Sequence, residues 1–398
     1  FGANLVGARW DEARQVWVVK SEDGRVFEGQ FLVSGMGGLS NPAIPQIKGL
    51  ESFEGTTFHS ATWNHDYDLT DKRVAVIGSG ASAIQFVPKI APLVSKLAYF
   101  QRTPPWVVPK MDRAIGDDER ADFAANPWRQ RLARNKLYWL LEARFLGFKY
   151  KPEWMNLVAK VAKHKIRQGI KDPAVQAKVT PDYTPGCKRL LISNDYYPAL
   201  GRTNVEVVTD GISHVTANSV VTKDGQAHEV DAIIFGTGFK VQDPIPPGTV
   251  FGRGGVDMAD AWQNGPEAYM GMAVAGFPNF FMLMGPNTGL GHNSMVYMIE
   301  SQAHYICTGL QAAKEAGAAT LEVKAEAQHS FVDKVQEDLK RTVWQSGCKS
   351  WYLNEQGRNT TLWPGFTFVY RLKTRRFKLG AYRTERAKAT APQTASHH

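Results

Sequence analysis

Residues Arg73–Ala83 read Arg-Val-Ala-Val-Ile-Gly-Ser-Gly-Ala-Ser-Ala. A short apolar run leads into two glycines one residue apart, and a helical pattern follows. A lone G-x-G-x-x-A carries little information, but a strand before it and a helix after it make it a nucleotide-binding turn. Gly78 permits the tight turn, Gly80 lets a pyrophosphate approach the backbone, and Ala83 lets helix and strand pack closely. The helix N-terminus adds free N–H groups and a positive partial charge. Ser79 and Ser82 lie in the same turn and join the candidate cofactor-binding set. The pattern predicts a strand over 72–80 and a helix over 82–90.

The same kind of unit is written twice. Asp23–Gly37 (DGRVFEGQFLVSGMG) and Asp224–Gly238 (DGQAHEVDAIIFGTG) share a turn, a Glu five residues on, an apolar strand and a terminal G-x-G, at a constant offset of 201 residues. The pattern implies two dinucleotide-binding units, with Gly37 and Gly238 approaching cofactors. The second unit opens with the turn at Gly78. No such motif precedes Asp23, so the first unit's opening turn is expected upstream of Phe1.

Further strands are expected at Ala8–Trp10, Val16–Lys20, Val26–Val33, Leu97–Arg102, Val205–Val208, Val215–Val221, Ala232–Phe235 and Phe280–Met284. A helical insertion is expected over about 112–180, and a helix over Ser294–Lys314. The strand after the nucleotide helix ends in Phe100-Gln-Arg-Thr103. NAD-selective folds carry an acidic residue near this point to hold the ribose hydroxyls. Here a guanidinium and a hydroxyl stand instead, and Arg pairs with phosphate through its planar fork. Arg102 and Thr103 therefore point to the 2′-phosphate of NADPH.

Composition narrows the field. The chain has 398 residues and a net charge of +9, with basic residues frequent over Arg129–Lys171 and Arg371–Lys388. No basic-plus-aromatic nucleic-acid module is visible. Solvated helix faces and attraction of an anionic cofactor account for the sign. No apolar run reaches the roughly 20 residues that span a bilayer, and no signal segment opens the chain. Cys187, Cys307 and Cys348 form no C-x-x-C or metal spacing, which fits a reducing, cytoplasmic setting and no metal site.

Between the two units lies Phe53-x-Gly55-x-x-x-His59-x-x-x-Trp63. This segment resembles the fingerprint of Baeyer–Villiger monooxygenases, class B flavin-dependent enzymes. The match is complete through Trp63 and departs at Asn64, where that family has Pro or Asp. The resemblance runs from about Arg9 to Tyr382. Phe100–Trp106 is similar to the family's NADPH-phosphate segment, and Gly186-Cys-Lys-Arg189 to its consecutive Lys-Arg pair. Gly285–Met295 looks like its Gly-Pro loop before the helix at the flavin ring, with Asn293 and Met295 as cofactor contacts. Gly236-Thr-Gly238 resembles its A-T-G segment, and Gly35-Met-Gly37 is a looser version.

The resemblance implies an α/β protein with two Rossmann-like domains. A split FAD domain would comprise 1–64, including a linker carrying the fingerprint, and 236–385. An inserted NADPH domain would span 65–235, and a disordered tail 386–398. It implies FAD and NADPH as cofactors, and insertion of one oxygen atom from dioxygen beside a ketone carbonyl through a flavin peroxide. Lys188 would meet the 2′-phosphate. Arg189 would be catalytic, stabilising the peroxide and the developing oxyanion, and His59 would couple domain movements. Two alternatives stay open at this point: N- or S-oxygenation of soft nucleophiles, and a non-catalytic NADP(H)-binding module.

Overall fold

The computed structural model describes residues 2–387. Two compact units divide the chain. Unit 1 gathers three stretches, one ending at Ser40, one over Val241–Thr342 and one beginning at Trp351. Unit 2 comprises Asn41–Lys240 with the short Val343–Ser350. The architecture is the α/β one expected, with one unit split in sequence and the other inserted into it.

The boundaries differ from those expected at 64/65 and 235/236, and pairing explains why. Thr56–His59 is no linker but an edge strand, paired in parallel with Ala232–Phe235. Ala43 N–H donates to the Gly238 carbonyl (2.9 Å), and Lys240 N–H to that of Asn41 (2.9 Å). Both flanks therefore belong to unit 2. At the other end, Arg386 closes the Tyr382–Arg386 strand. The rest of the expected tail, from 388 onward, lies outside the described residues.

Unit 2 is built on a five-stranded parallel sheet in the order Val205–Val208, Lys96–Phe100, Arg73–Ile77, Ala232–Phe235, Thr56–His59. Val74, Ala75, Val76, Ile233 and Ile234 are fully buried, as strands covered on both faces require. The order reverses at Arg73–Ile77, so the crevice at its carboxyl end is the switch point where such sheets bind ligands. The helical insertion comprises Asp117–Ala125, Pro127–Ala143, Phe145–Lys149, Met155–Gly169 and Pro173–Val179.

The internal repeat is structural down to single hydrogen bonds. In one copy Ser21 Oγ donates to Asp23 Oδ1 (2.5 Å) and to the Arg25 carbonyl (3.1 Å). In the other, Thr222 Oγ1 donates to Asp224 Oδ1 (2.5 Å) and to the Gln226 carbonyl (3.0 Å). Gly24 and Gly225 take φ of 84° and 88° in the matching turns. Each copy is a three-stranded antiparallel meander that then gives up one parallel strand. That hand-over corrects two strand expectations. Val26–Val33 is two strands, Val26–Gly29 in the meander and Leu32–Ser34 paired in parallel with Phe280–Met282. Val215–Val221 is a hairpin of Ile212–Val215 and Ser219–Thr222.

The cysteines need a correction too. Cys187 and Cys348 form a disulfide across 161 residues of sequence, leaving Cys307 free. Local spacing cannot reveal a pair that only the fold brings together. No described helix is long and apolar enough to cross a membrane.

In unit 1 the register of the parallel pair rests on Asn279, which is fully buried. Its Nδ2 donates to the Gln30 and Ala319 carbonyls (both 2.8 Å), and its Oδ1 accepts from Leu321 N–H (2.6 Å). Its backbone carbonyl accepts from Leu32 N–H (3.0 Å). Its φ of 55° suits Asn better than most residues. Asn279→Ala leaves three polar groups on two segments without their partner and is expected to cost about 2–4 kcal/mol. A chemical-denaturation midpoint checks this, and a loss below about 0.5 kcal/mol would contradict it.

Candidate nucleotide and flavin sites

At the nucleotide turn two backbones meet. Gly78 has φ of 111°, and a Cβ there would lie 2.4 Å from the Gly236 carbonyl oxygen. Ala83 is fully buried, its methyl 3.4 Å from where a Cβ on Gly236 would be. A larger residue at either position would push the strand ends apart. At Gly80, by contrast, a Cβ would meet nothing within 4 Å. The smallness of Gly78 and Ala83 serves packing, while that of Gly80 leaves space over the turn. Ser82 stands at the start of the Ala83–Ile90 helix with its hydroxyl uncommitted to the cap. Ser79 Oγ donates to the Thr103 carbonyl (3.0 Å), fastening the turn to the end of the second strand.

The Arg102 guanidinium lies close enough to act electrostatically on Lys188. Leu191–Ile192 pairs in parallel with Val107–Val108, and Leu191 N–H donates to the Trp106 carbonyl (3.0 Å). Tyr183 is clamped between them: its hydroxyl donates to the Pro104 carbonyl (3.2 Å), and its own carbonyl accepts from Trp106 Nε1 (2.7 Å). Burial pushes the Tyr183 phenol up to about 12. Lys188 Nζ lies 4.9 Å from the centre of the Tyr183 ring. Burial and, secondly, the Arg102 guanidinium hold the Lys188 ammonium below its ordinary range. Arg189, next in the chain, is exposed and has no ion-pair partner among the described residues. Sequence reasoning missed Tyr183; its only signal was an aromatic a few residues before a Lys-Arg pair.

The Lys-Arg loop is braced from behind. Trp344, buried in the Val343–Ser350 segment, packs against Phe148 (5.5 Å) and Phe145 (6.3 Å). A Cβ on Gly186 would come within 3.0 Å of Phe148 and 3.2 Å of Val343. The Cys187–Cys348 disulfide closes the same contact beside Lys188.

The fingerprint residues pack around the edge strand. A Cβ on Gly55 would lie 2.4 Å from the Asp231 carbonyl oxygen and 2.6 Å from the Phe53 ring, which explains the Phe-x-Gly pairing. Trp63 meets Phe58 and Phe86 edge-on, at 5.1 and 5.3 Å. Asn64 Oδ1 accepts from Asp66 N–H (3.1 Å), an Asx turn that Asp would make equally well. His59 ends the strand, 2% exposed. Its Nδ1 accepts from Ala61 N–H (3.1 Å), so the neutral ring carries its proton on Nε2. Burial lowers its pKa, offset in part by the Gly238 backbone. Its ring stands edge-on to Phe239 at 5.7 Å. The chain leaves unit 2 at Lys240, one residue further on.

In unit 1, Gly37 (φ 64°) has open space where a Cβ would sit, and so does Gly238 (φ 84°) in unit 2. The Gly-Pro loop is rigidly backed. A Cβ on Gly285 would lie 2.4 Å from the Gly271 carbonyl oxygen. Asn287 Nδ2 donates to the Asn359 (2.8 Å) and Leu362 (3.2 Å) carbonyls. The loop delivers Asn293, whose Oδ1 accepts from Ser294 N–H (2.8 Å), to the start of the 21-residue Met295–Glu315 helix. Leu290 is buried, with Gly291 and Met295 partly so. Within the described residues no cluster could hold a metal ion.

The chain is similar to known proteins throughout. Residues 8–247 match the family model described as flavin-binding monooxygenase-like. A Baeyer–Villiger monooxygenase of Pseudomonas aeruginosa is 56% identical over 94% of this chain and 71% of that protein. One from Streptomyces coelicolor is 46% identical over 97% of this chain and 75% of its own length. A crystal structure of OTEMO in complex with FAD and NADP superposes with a TM-score of 0.83 at 28% identity, covering 97% of this chain and 81% of that one. The family model and the curated relatives agree: the chain belongs to the flavin-binding monooxygenases, and among them to the Baeyer–Villiger monooxygenases.

Proposed function

We propose that this enzyme draws on NADPH to insert one oxygen atom of dioxygen beside a ketone carbonyl, yielding an ester or lactone, and that unit 2 selects the cofactor through Arg102, Thr103 and Lys188. When bound, NADPH would supply a hydride and FAD the chemistry that activates dioxygen. The chain's own residues bind, orient and supply charge. The turn from Gly78 to Ala83 takes the pyrophosphate, with Ser79 and Ser82 beside it. The space over Gly80 and the N–H groups opening the helix fit that group.

The carrying observation is the Arg102–Lys188 pair. Two cations that repel each other beside a phosphate turn make an anion site: a dianion between them removes the repulsion and gains charge-assisted hydrogen bonds. Thr103 adds a hydroxyl. A 2′-phosphate suits this arrangement, and a bare ribose does not.

Arg189 follows Lys188 on the braced loop. A guanidinium keeps its proton at any working pH, so it can stabilise an oxyanion developing on the ketone. We assign FAD to unit 1, at Gly37, Asn293 and Met295, where the long helix turns its positive end toward the loop. Gly238 we place among the cofactor contacts. His59 we assign as a positioning residue. It is buried and neutral, and it is seated against the residues where the chain leaves unit 2.

NADPH is expected to bind far more tightly than NADH. Arg102→Ala is expected to weaken NADPH by about 10–100-fold and leave NADH unchanged, as loss of one charge-assisted contact requires. Titration of both cofactors checks this; equal wild-type affinities would contradict it. Arg189→Ala is expected to keep NADPH binding but lose about 10²–10³ in ester formation. Arg189→Lys recovers only part, lacking the planar fork. Ester yield is measured against NADPH consumed, with hydrogen peroxide assayed in parallel. Near wild-type conversion by Arg189→Ala would remove the catalytic assignment.

A further inference from the structure

The helical insertion of unit 2 carries a feature that oxygenation does not use. Residues 127–171 contain twelve Lys or Arg against two Glu, a net charge of +10, so the remainder of the chain is close to neutral overall. Every residue from Pro127 to Leu137 is exposed, although all lie in one helix. Among them Trp128 is 59% and Leu132 61% exposed, and Leu137 and Leu140 are more than half exposed. A merely solvated helix face does not display Trp and Leu in this number.

The arrangement is ordered. At about 100° per residue, Trp128, Leu132 and Trp139 fall within roughly 40° of one another, with Arg131 on one side and Lys136 on the other. The Met155–Gly169 helix repeats the pattern at the same spacing. Leu157 and Val161 form its exposed stripe, with Lys160 and Lys165 flanking it. Met155, Ala162 and Ile166, on its opposite face, are buried in unit 2. Trp154, half exposed, stands just before this helix.

We propose that this insertion docks on an anionic lipid surface. An apolar stripe with Trp and Leu, edged by long cations, is the composition of a helix lying in the headgroup region. Trp prefers that depth, and the flanking Lys and Arg extend to the phosphates. Charge complementarity selects the occupant: the insertion as a whole, Asp117–Val179, still carries fourteen Lys or Arg against seven Asp or Glu, and such a basic surface would repel a second copy of itself. Nucleic acid would use the cations but leave the Trp and Leu stripes without a role. The docking is peripheral, consistent with the absence of a described helix able to span a bilayer. It does not depend on the oxygenase reading.

The test is co-sedimentation of the full-length flavoenzyme with vesicles of phosphatidylcholine alone or mixed with phosphatidylglycerol. Binding is expected to the mixed vesicles, about tenfold or more above phosphatidylcholine, and to weaken with salt. The exposed pair Trp128→Ser/Leu132→Ser, and separately Arg131→Glu/Lys136→Glu, are each expected to reduce binding at least tenfold with NADPH affinity unchanged. Any of four results overturns the proposal. One is no preference for anionic vesicles. Another is a protein dimer in lipid-free buffer that Leu132→Ser dissociates. A third is protection of Trp128 from a soluble quencher by another part of the chain. The last is RNA binding as tight as vesicle binding and indifferent to the Trp128 and Leu132 changes.

Discussion

At the carboxyl ends of the Arg73–Ile77 and Ala232–Phe235 strands, two backbones touch with no side chain between them. Gly78 and Gly236 permit that approach, and Ala83 keeps the helix close above it. Three consequences follow. The strand ends stay in register at the switch point of the sheet. The helix opens directly over the turn. Ser79 then reaches the Thr103 carbonyl, which fixes where the segment carrying Arg102 and Thr103 lies. The cofactor chemistry proposed for unit 2 depends on this contact, because Arg102 and Lys188 are placed relative to it.

The second layer of organisation is electrostatic. Lys188 is held over Tyr183, and Tyr183 is held by Pro104 and Trp106. An ammonium partly buried near a guanidinium is costly in the free protein. In the proposed site an arriving anion would relieve that cost, so part of the selectivity for a phosphorylated cofactor would be built in beforehand. The brace behind the loop, Trp344 with Phe145 and Phe148 and the Cys187–Cys348 disulfide, backs the segment that carries Lys188.

Much of this was legible in the sequence wherever the constraint is local. The turn at Gly78 announced itself because glycine spacing, strand and helix are contiguous. The repeat at an offset of 201 residues was visible because its turn, its Glu, its apolar strand and its closing G-x-G are written in a few neighbouring positions. Long-range features were not legible. The edge strand Thr56–His59 has too few residues for an alternating pattern, and only its partner makes it a strand. The Cys187–Cys348 bond and the role of Tyr183 depend on contacts between distant segments. Val26–Val33 read as one strand because both of its halves are β-prone, and the break at Gln30 serves a change of partner that no local pattern records.

Selection of NADPH in the proposed site rests on Lys188 and Arg102 together holding the 2′-phosphate. Calorimetric titration with 2′,5′-ADP, alongside ADP, tests it directly, in alkaline buffers of differing ionisation enthalpy. In the free protein the Lys188 pKa is depressed. A bound phosphate dianion raises it, so binding must draw a proton from the buffer as pH rises toward that pKa. The 2′-phosphate is already fully ionised there and contributes no proton of its own. Tight binding of 2′,5′-ADP with proton uptake, lost in Lys188→Met and absent for ADP, is the predicted result. Equal affinity for the two ligands, or binding of 2′,5′-ADP with no proton uptake across the alkaline range, would contradict the account.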